Sequence, residues 1–235
     1  MKKETKLLLI ISLVLTSCVV THHKKELIDF RDNKIPTNSL KINGYYFAEL
    51  EREYDEYLPY PINEYYKKTG IKKIKYLSVF FIYEDGFAVN VGGIYGLASY
   101  YCVEKESYEN TYESAHRTVE LILESQNSKD KRIKRICGFK PNEINNKGLV
   151  KINKDSIKIQ FYLVEMQNPT KDFFNSYYLY EINGIVKSDS SFVIKKETEY
   201  RNNKTTLQNT LFKFREKVQK PNIENYFKKN KNRFK

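Results

Sequence analysis

The chain has no tryptophan, three histidines and three cysteines among its 235 residues. That scarcity narrows the chemistry open to it, because histidine and cysteine supply most general bases near neutral pH, most thiolate nucleophiles and most zinc ligands. His22 and His23 lie too close to the N-terminus for a site built by a fold, which leaves His116 as the histidine available for catalysis. Neither G-x-S-x-G nor H-E-x-x-H surrounds it, and no ligand set occurs at a metal-binding spacing. Gly92, Gly93 and Gly96 match no phosphate-binding pattern, so they read as a bulge or bend after a strand. On these absences the protein is expected to be no enzyme and to hold neither metal nor cofactor. The apolar run Leu7 to Leu15 is also well short of the about 20 residues that a membrane-spanning helix needs.

Short as it is, that run carries the most specific pattern in the sequence. Lys2 and Lys3 precede it, and it closes on Leu15-Thr16-Ser17-Cys18. A basic start, a short apolar stretch and small residues before a cut make a signal peptide, here residues 1–17. The closing tetrapeptide resembles the lipobox of bacterial lipoprotein precursors, an aliphatic residue and two small ones before a cysteine. The resemblance implies cleavage before Cys18 and diacylation of its sulfur. Two or three acyl chains, at about 0.8 kcal/mol per buried methylene, hold a protein firmly to a membrane. Val19 follows the cysteine, so the aspartate that retains enterobacterial lipoproteins at the inner membrane is absent. The implied location is the bacterial cell envelope, at the outer membrane facing the periplasm.

Acidic residues are outnumbered 29 to 41 by lysine and arginine, a net charge of +12. Removal of residues 1–17 takes away three lysines and one glutamate and leaves +10. Such a balance suggests nucleic acid in a cytosolic protein, but export removes that partner. An AT-rich composition, heavy in Lys, Asn, Ile, Tyr and Phe, accounts for it. Residues 219–235, with Lys228, Lys229, Lys231, Arg233 and Lys235, read as a solvated basic tail. With Cys18 lipidated, Cys102 and Cys137 remain as an even pair in an oxidising compartment. A disulfide between them would close a loop of about 35 residues and stabilise the fold by roughly 3–4 kcal/mol. Two separate buried thiols fit the apolar neighbours Tyr100, Tyr101, Val103, Ile136 and Phe139 equally well.

Residues 18–39 are polar and unpatterned and read as a lipidated tether, leaving 40–218 as a single β-rich domain. Strands are expected over Ile42–Glu49, Tyr76–Tyr83 and Phe87–Val91, the last two joined as a hairpin through Glu84-Asp85-Gly86. Lys147–Ile152 and Ser156–Val164 flank the turn Asn153-Lys154-Asp155. In the second, Ile157, Ile159, Phe161 and Leu163 alternate with Lys158, Gln160 and Tyr162 as in a half-buried strand. Asn183-Gly184 predicts a further hairpin between Tyr177–Ile182 and Ile185–Lys187, followed by strands over Ser191–Thr198 and Thr205–Phe214. One inserted amphipathic helix is expected near 111–125, capped by Asn110 with Glu113. Its apolar stripe is Tyr112, Ala115, His116, Val119, Ile122 and Leu123. His116 on that stripe reads as a core histidine with a satisfied hydrogen bond. Eight to ten sequential strands favour a mainly β fold, α+β at most, an antiparallel meander closing into a barrel.

Several short stretches, Lys41-Ile42-Asn43-Gly44-Tyr45-Tyr46, Phe81-Ile82-Tyr83-Glu84-Asp85-Gly86, Asp155-Ser156-Ile157-Lys158-Ile159-Gln160, Ser191-Phe192-Val193-Ile194 and Phe212-Lys213-Phe214, are turns and strand starts. In these the chain resembles the small lipoproteins of unknown function common in Bacteroidetes, often described as lipocalin-like. Proteins of that kind often carry Trp-Gly-x-Tyr before the Asp-x-Ile-x-Ile strand, where this chain has Gly148-Leu149-Val150. The resemblance implies a lipocalin-like barrel and supplies no catalytic residues. Two roles follow: a structural or interaction lipoprotein that meets an envelope protein, or a binding module for a small apolar ligand. For the second, Phe81, Phe161, Tyr178 and Phe192 are the expected cavity lining, unless they simply fill the core. Acidic pairs such as Glu51 with Glu53 or Asp55 with Glu56 could serve glycoside chemistry, but on a charged stretch they read as solvated.

Overall fold

Alternating apolar and polar residues between short turns make strands, and their hairpin order decides how the sheet closes. The computed structural model describes residues 26–53, 62–96, 109–133, 143–165, 176–216 and 220–234. Cys18, Cys102 and Cys137 lie outside these residues, as do His22, His23, Asp55 and Glu56, so the expected lipidation and disulfide do too. Eight strands run in chain order: β1 Gly44–Glu53, β2 Lys73–Ile82, β3 Phe87–Tyr95, β4 Lys147–Asn153, β5 Ser156–Glu165, β6 Ser176–Ser188, β7 Ser191–Glu199 and β8 Lys204–Glu216. Each pairs antiparallel with the next, and β8 returns to β1, giving the closed meander barrel that the strand count favours. The closing seam is partial. Gly44 to Phe47 pair with Lys213 to Glu216, and beyond Phe47 no β1–β8 pairing continues among the described residues.

Turn chemistry explains one hairpin and corrects another. Gly86 adopts φ +74°, and Tyr83 N donates to Phe87 O at 2.8 Å, closing the turn that joins β2 to β3. Asn183-Gly184, expected as a turn, lies instead inside the continuous strand β6, where the pairing with β7 shifts register. A Cβ on Gly184 would stand 2.3 Å from Val193 O, so glycine is present there for close strand approach. The glycine cluster behaves as read from the sequence: register shifts against β2 between Val79 and Phe80, with Gly92 at φ +82°.

Two apolar cores share the barrel wall. The inner one fills the bore with Tyr46, Ala48, Phe80, Ile82, Val150, Ile157, Ile159, Phe161, Phe192 and Phe212 among others. The outer one covers the opposite faces of the strands, where Tyr45, Leu77, Val79, Phe81, Val89, Leu149 and Tyr162 point away from the bore. That outer face is covered by one helix and by the chain segments before β1 and after β8. Helix α2, Tyr112–Ser125, follows α1, Ile62–Thr69, and packs Ala115, Val119 and Leu123 against it. Its N-cap is Thr111, whose side chain accepts from Ser114 N. Asn110, expected to cap, bridges to β2 instead, accepting from Lys75 N and donating to Lys73 O, both at 2.9 Å.

Residues 26–39 and 220–234 pack more than the tether and tail read from the sequence would. Ile28, Phe30, Ile35 and Leu40 are buried, so ordered packing begins well before residue 40. Residues 220–234 return across the outer face and bury Tyr226, Phe227 and Phe234, with Asn225 capping α3, Tyr226–Lys229. Phe30 meets Phe227 and Phe234 at centroid distances of 5.9 and 5.4 Å. The lysine content masks this, since Lys228, Lys229 and Lys231 stay at the surface while the aromatics on either side of them, Tyr226, Phe227 and Phe234, carry the packing.

Candidate functional site

The barrel has a filled end and a hollow end. At the filled end Phe192 and Phe212 stack at 5.1 Å and an interplanar angle of 4°, with Tyr46 at 5.2 Å from Phe192. Tyr46 Oη donates to Lys41 O and Asp189 O, at 3.1 and 2.8 Å, tying the inner core to two chain segments at that end. Above this floor lies a cavity of about 480 Å³. Its apolar walls are Leu50, Phe80, Phe161, Leu163, Ile182, Ile194 and Phe212, with Tyr76 and Tyr180 presenting rings. Ser78, Asn90, Glu197, Gln208 and Thr210 add polar atoms. A smaller hollow of about 270 Å³ opens where β1 and β8 part, and shares Leu50 and Thr210 with the first.

Register decides which aromatics reach this space. Of the four residues expected to line it, Phe161 does. Phe81 belongs to the outer core, one position out of phase, and its neighbour Phe80 faces the cavity. Phe192 lies inside the barrel as part of the floor. Tyr178 pairs with Leu163 near the upper end of β6, where Arg201 lies 4.5 Å from its ring centroid. Arg201 also pairs with Glu199 at 2.5 Å, and Arg52 at the end of β1 donates to Tyr95 Oη at 3.2 Å.

The polar centre of the cavity is Glu197, which the sequence reading missed. Tyr180 Oη donates to Glu197 Oε2 at 2.7 Å, and Gln208 Nε2 donates to the same oxygen at 3.1 Å. Burial, reinforced by this carboxylate, holds the Tyr180 hydroxyl well above the ordinary tyrosine range. Tyr76 on β2 is raised as well, first by burial, then by Tyr95, and Glu197 adds to the effect. The three groups come from β6, β7 and β8, so no local motif could announce them.

Other candidates resolve into structure. His116 is buried with its Nδ1 2.9 Å from Tyr45 Oη and its ring edge-on to Phe47 at 4.5 Å, as expected of a core histidine. Glu51 and Glu53 are exposed on β1, and Glu51 lies 3.8 Å from Lys73. Among the described residues no three His, Cys, Asp or Glu side chains form a metal-binding group, and no helix is long and apolar enough to cross a membrane.

An eight-stranded up-and-down barrel with one filled end and a hollow at the other has a lipocalin-like architecture. No protein-family model, curated protein or solved structure matches the chain.

Proposed function

We propose that this protein is a lipid-anchored, non-catalytic envelope protein that binds a small, largely apolar molecule inside its barrel. The observation that carries the reading is the cavity of about 480 Å³, walled by aromatic and aliphatic side chains around a few polar atoms. Its size falls within the roughly 300–1,000 Å³ of small-molecule sites, and its lining has their mixture of apolar wall and sparse polar handles. Support for the anchor is Leu15-Thr16-Ser17-Cys18 behind a basic, apolar N-terminus.

Phe161→Trp tests the binding half directly, because the chain has no other tryptophan to obscure the reporter. Displacement of N-phenylnaphthylamine from the wild type, together with a shift in the Phe161→Trp emission when the dye enters, is the expected result. No dye uptake by a folded protein overturns it. For the anchor, Cys18→Ala is expected to move the protein from the membrane to the soluble fraction of its bacterial host.

Docking of an envelope protein is the second reading, favoured by Leu207 and Leu211 on β8, which are 82% and 44% exposed beside the part of that strand where pairing to β1 stops. Cross-linking from the exposed neighbouring position 209 to an envelope protein, lost on Leu207→Asp, would support it over ligand binding.

A further inference from the structure

Resting on the reading of the barrel as a binding site, we propose that its guest is an amine: an apolar molecule whose ammonium group pairs with Glu197. Charge selection is the first argument. The chain carries 41 lysines and arginines, yet none of them, and no histidine, lines the cavity among the described residues. Among the described residues, the one formally charged side chain in its wall is Glu197. An anionic head group, such as a fatty-acid carboxylate, would meet a like charge there with no cation of the described lining to offset it.

Preorganisation is the second argument. Glu197 Oε2 is fixed by Tyr180 and Gln208, at 2.7 and 3.1 Å, while Oε1 takes no hydrogen bond from the described residues. The carboxylate is thus held in place with an acceptor to spare, which is how a charge-assisted hydrogen bond gains strength without ordering a flexible side chain. Aromatic faces supply the third argument. Tyr76, Phe80, Phe161, Tyr180 and Phe212 share the cavity with Glu197, and ring faces attract cations as well as apolar chains. Among the described residues, the two arginines at the ends of β1 and β7 are already engaged. Arg201 pairs with Glu199 and lies over Tyr178, and Arg52 binds Tyr95.

Octylamine, octanol and octanoate share one chain and differ only at the head, so they separate this proposal from the reading beneath it. Their displacement of N-phenylnaphthylamine is measured on the wild-type chain near neutral pH. The amine is expected to bind about tenfold or more tighter than the alcohol, the effect of one charge-assisted hydrogen bond, and the carboxylate weakest. In Glu197→Gln, which keeps the side-chain shape, the amine-to-alcohol ratio is expected to fall to about one. Equal binding of all three by the wild type, or preference for octanoate, overturns the amine while leaving the barrel a binding site. Binding of none overturns both. Should Glu197→Gln fail to fold, the wild-type ranking still decides, and a ratio unchanged in a folded variant removes Glu197 from the site.

Discussion

His116 Nδ1 lies 2.9 Å from the hydroxyl of Tyr45, joining α2 to β1 through a buried pair. Burial pushes the imidazole pKa down to about 4, Arg215 adds to the effect, and Glu113 and Glu120 oppose it. Between the ordinary value of 6.5 and about 4, the unfolded chain therefore takes up a proton that the folded one refuses. Stability is expected to fall as pH drops through that window, by up to roughly 3 kcal/mol. Denaturant titrations across the window check it. His116→Phe should flatten that slope while costing about 1–3 kcal/mol, because the Tyr45 hydroxyl loses its partner.

Gln160 is fully buried and holds the N-terminal segment to the barrel. Its Oε1 accepts from Ile28 N, and its Nε2 donates to Glu26 O, both at 2.7 Å, and to Glu181 Oε2 at 2.6 Å. Gln160→Leu strands those groups and is expected to cost about 2–3 kcal/mol, with hydrogen exchange rising at Ile28. Glu181 is opposed by burial, but hydrogen bonds from Asn183, Gln160, Tyr200 and Lys158 prevail and lower its pKa below the ordinary 4.5. Its contribution is present above that value and lost as pH falls through the lowered one, so Glu181→Gln should reduce the steepness of acid unfolding.

Lys220 Nζ donates to the carbonyls of Ile42 and Ile82 and sits 4.2 Å from the ring centroid of Tyr83. Burial lowers its pKa from 10.5 to about 8. From about 8 to 10.5 the unfolded chain holds more protons, so this group makes stability rise with pH. Tyr45, Tyr46, Tyr83, Tyr162 and Tyr180, all raised chiefly by burial, act in the other direction once unfolded tyrosines ionise above about 10. A shallow rise followed by a steep loss is expected in alkaline denaturation followed by tyrosinate absorbance. Lys220→Met should erase the rise, keep the loss, and cost about 1–3 kcal/mol for the two carbonyls left without a donor.

Phe227 is completely buried against Phe30, Phe87, Tyr162 and Phe234. Phe227→Ala is expected to cost about 3–5 kcal/mol, read from chemical denaturation. Neutralising Lys229 and Lys231 at the surface should change stability by less than about 0.5 kcal/mol.

Sequence alternation and turn residues made the strands and their order legible, because both are local. What they left open was the parity of each strand. With a core on either face, Phe80 and Phe81 are both buried, and no pattern says which of the two meets the bore. On β7 the register shift between Ile194 and Lys196 changes the phase, carrying Glu197 inward out of step with simple alternation. Asn183-Gly184 misled for a related reason, since packing across strands demanded a residue without a side chain at a place that local chemistry marked as a turn. The site itself was not legible, as Tyr180, Glu197 and Gln208 converge only once three strands are in register.

The partial seam between β1 and β8 gives the barrel a mechanical property. Six of its eight joints are ladders running along most of the shared strand length, whereas among the described residues the β1–β8 ladder stops at Phe47 and Lys213 and the β3–β4 ladder at Val89 and Lys147, both short of the hollow end. The sheet therefore behaves there less as a rigid tube than as a cuff. Its girth can increase along these two lines, one of them beside Leu50 and Thr210, while the stacked floor of Phe192 and Phe212 keeps its dimensions.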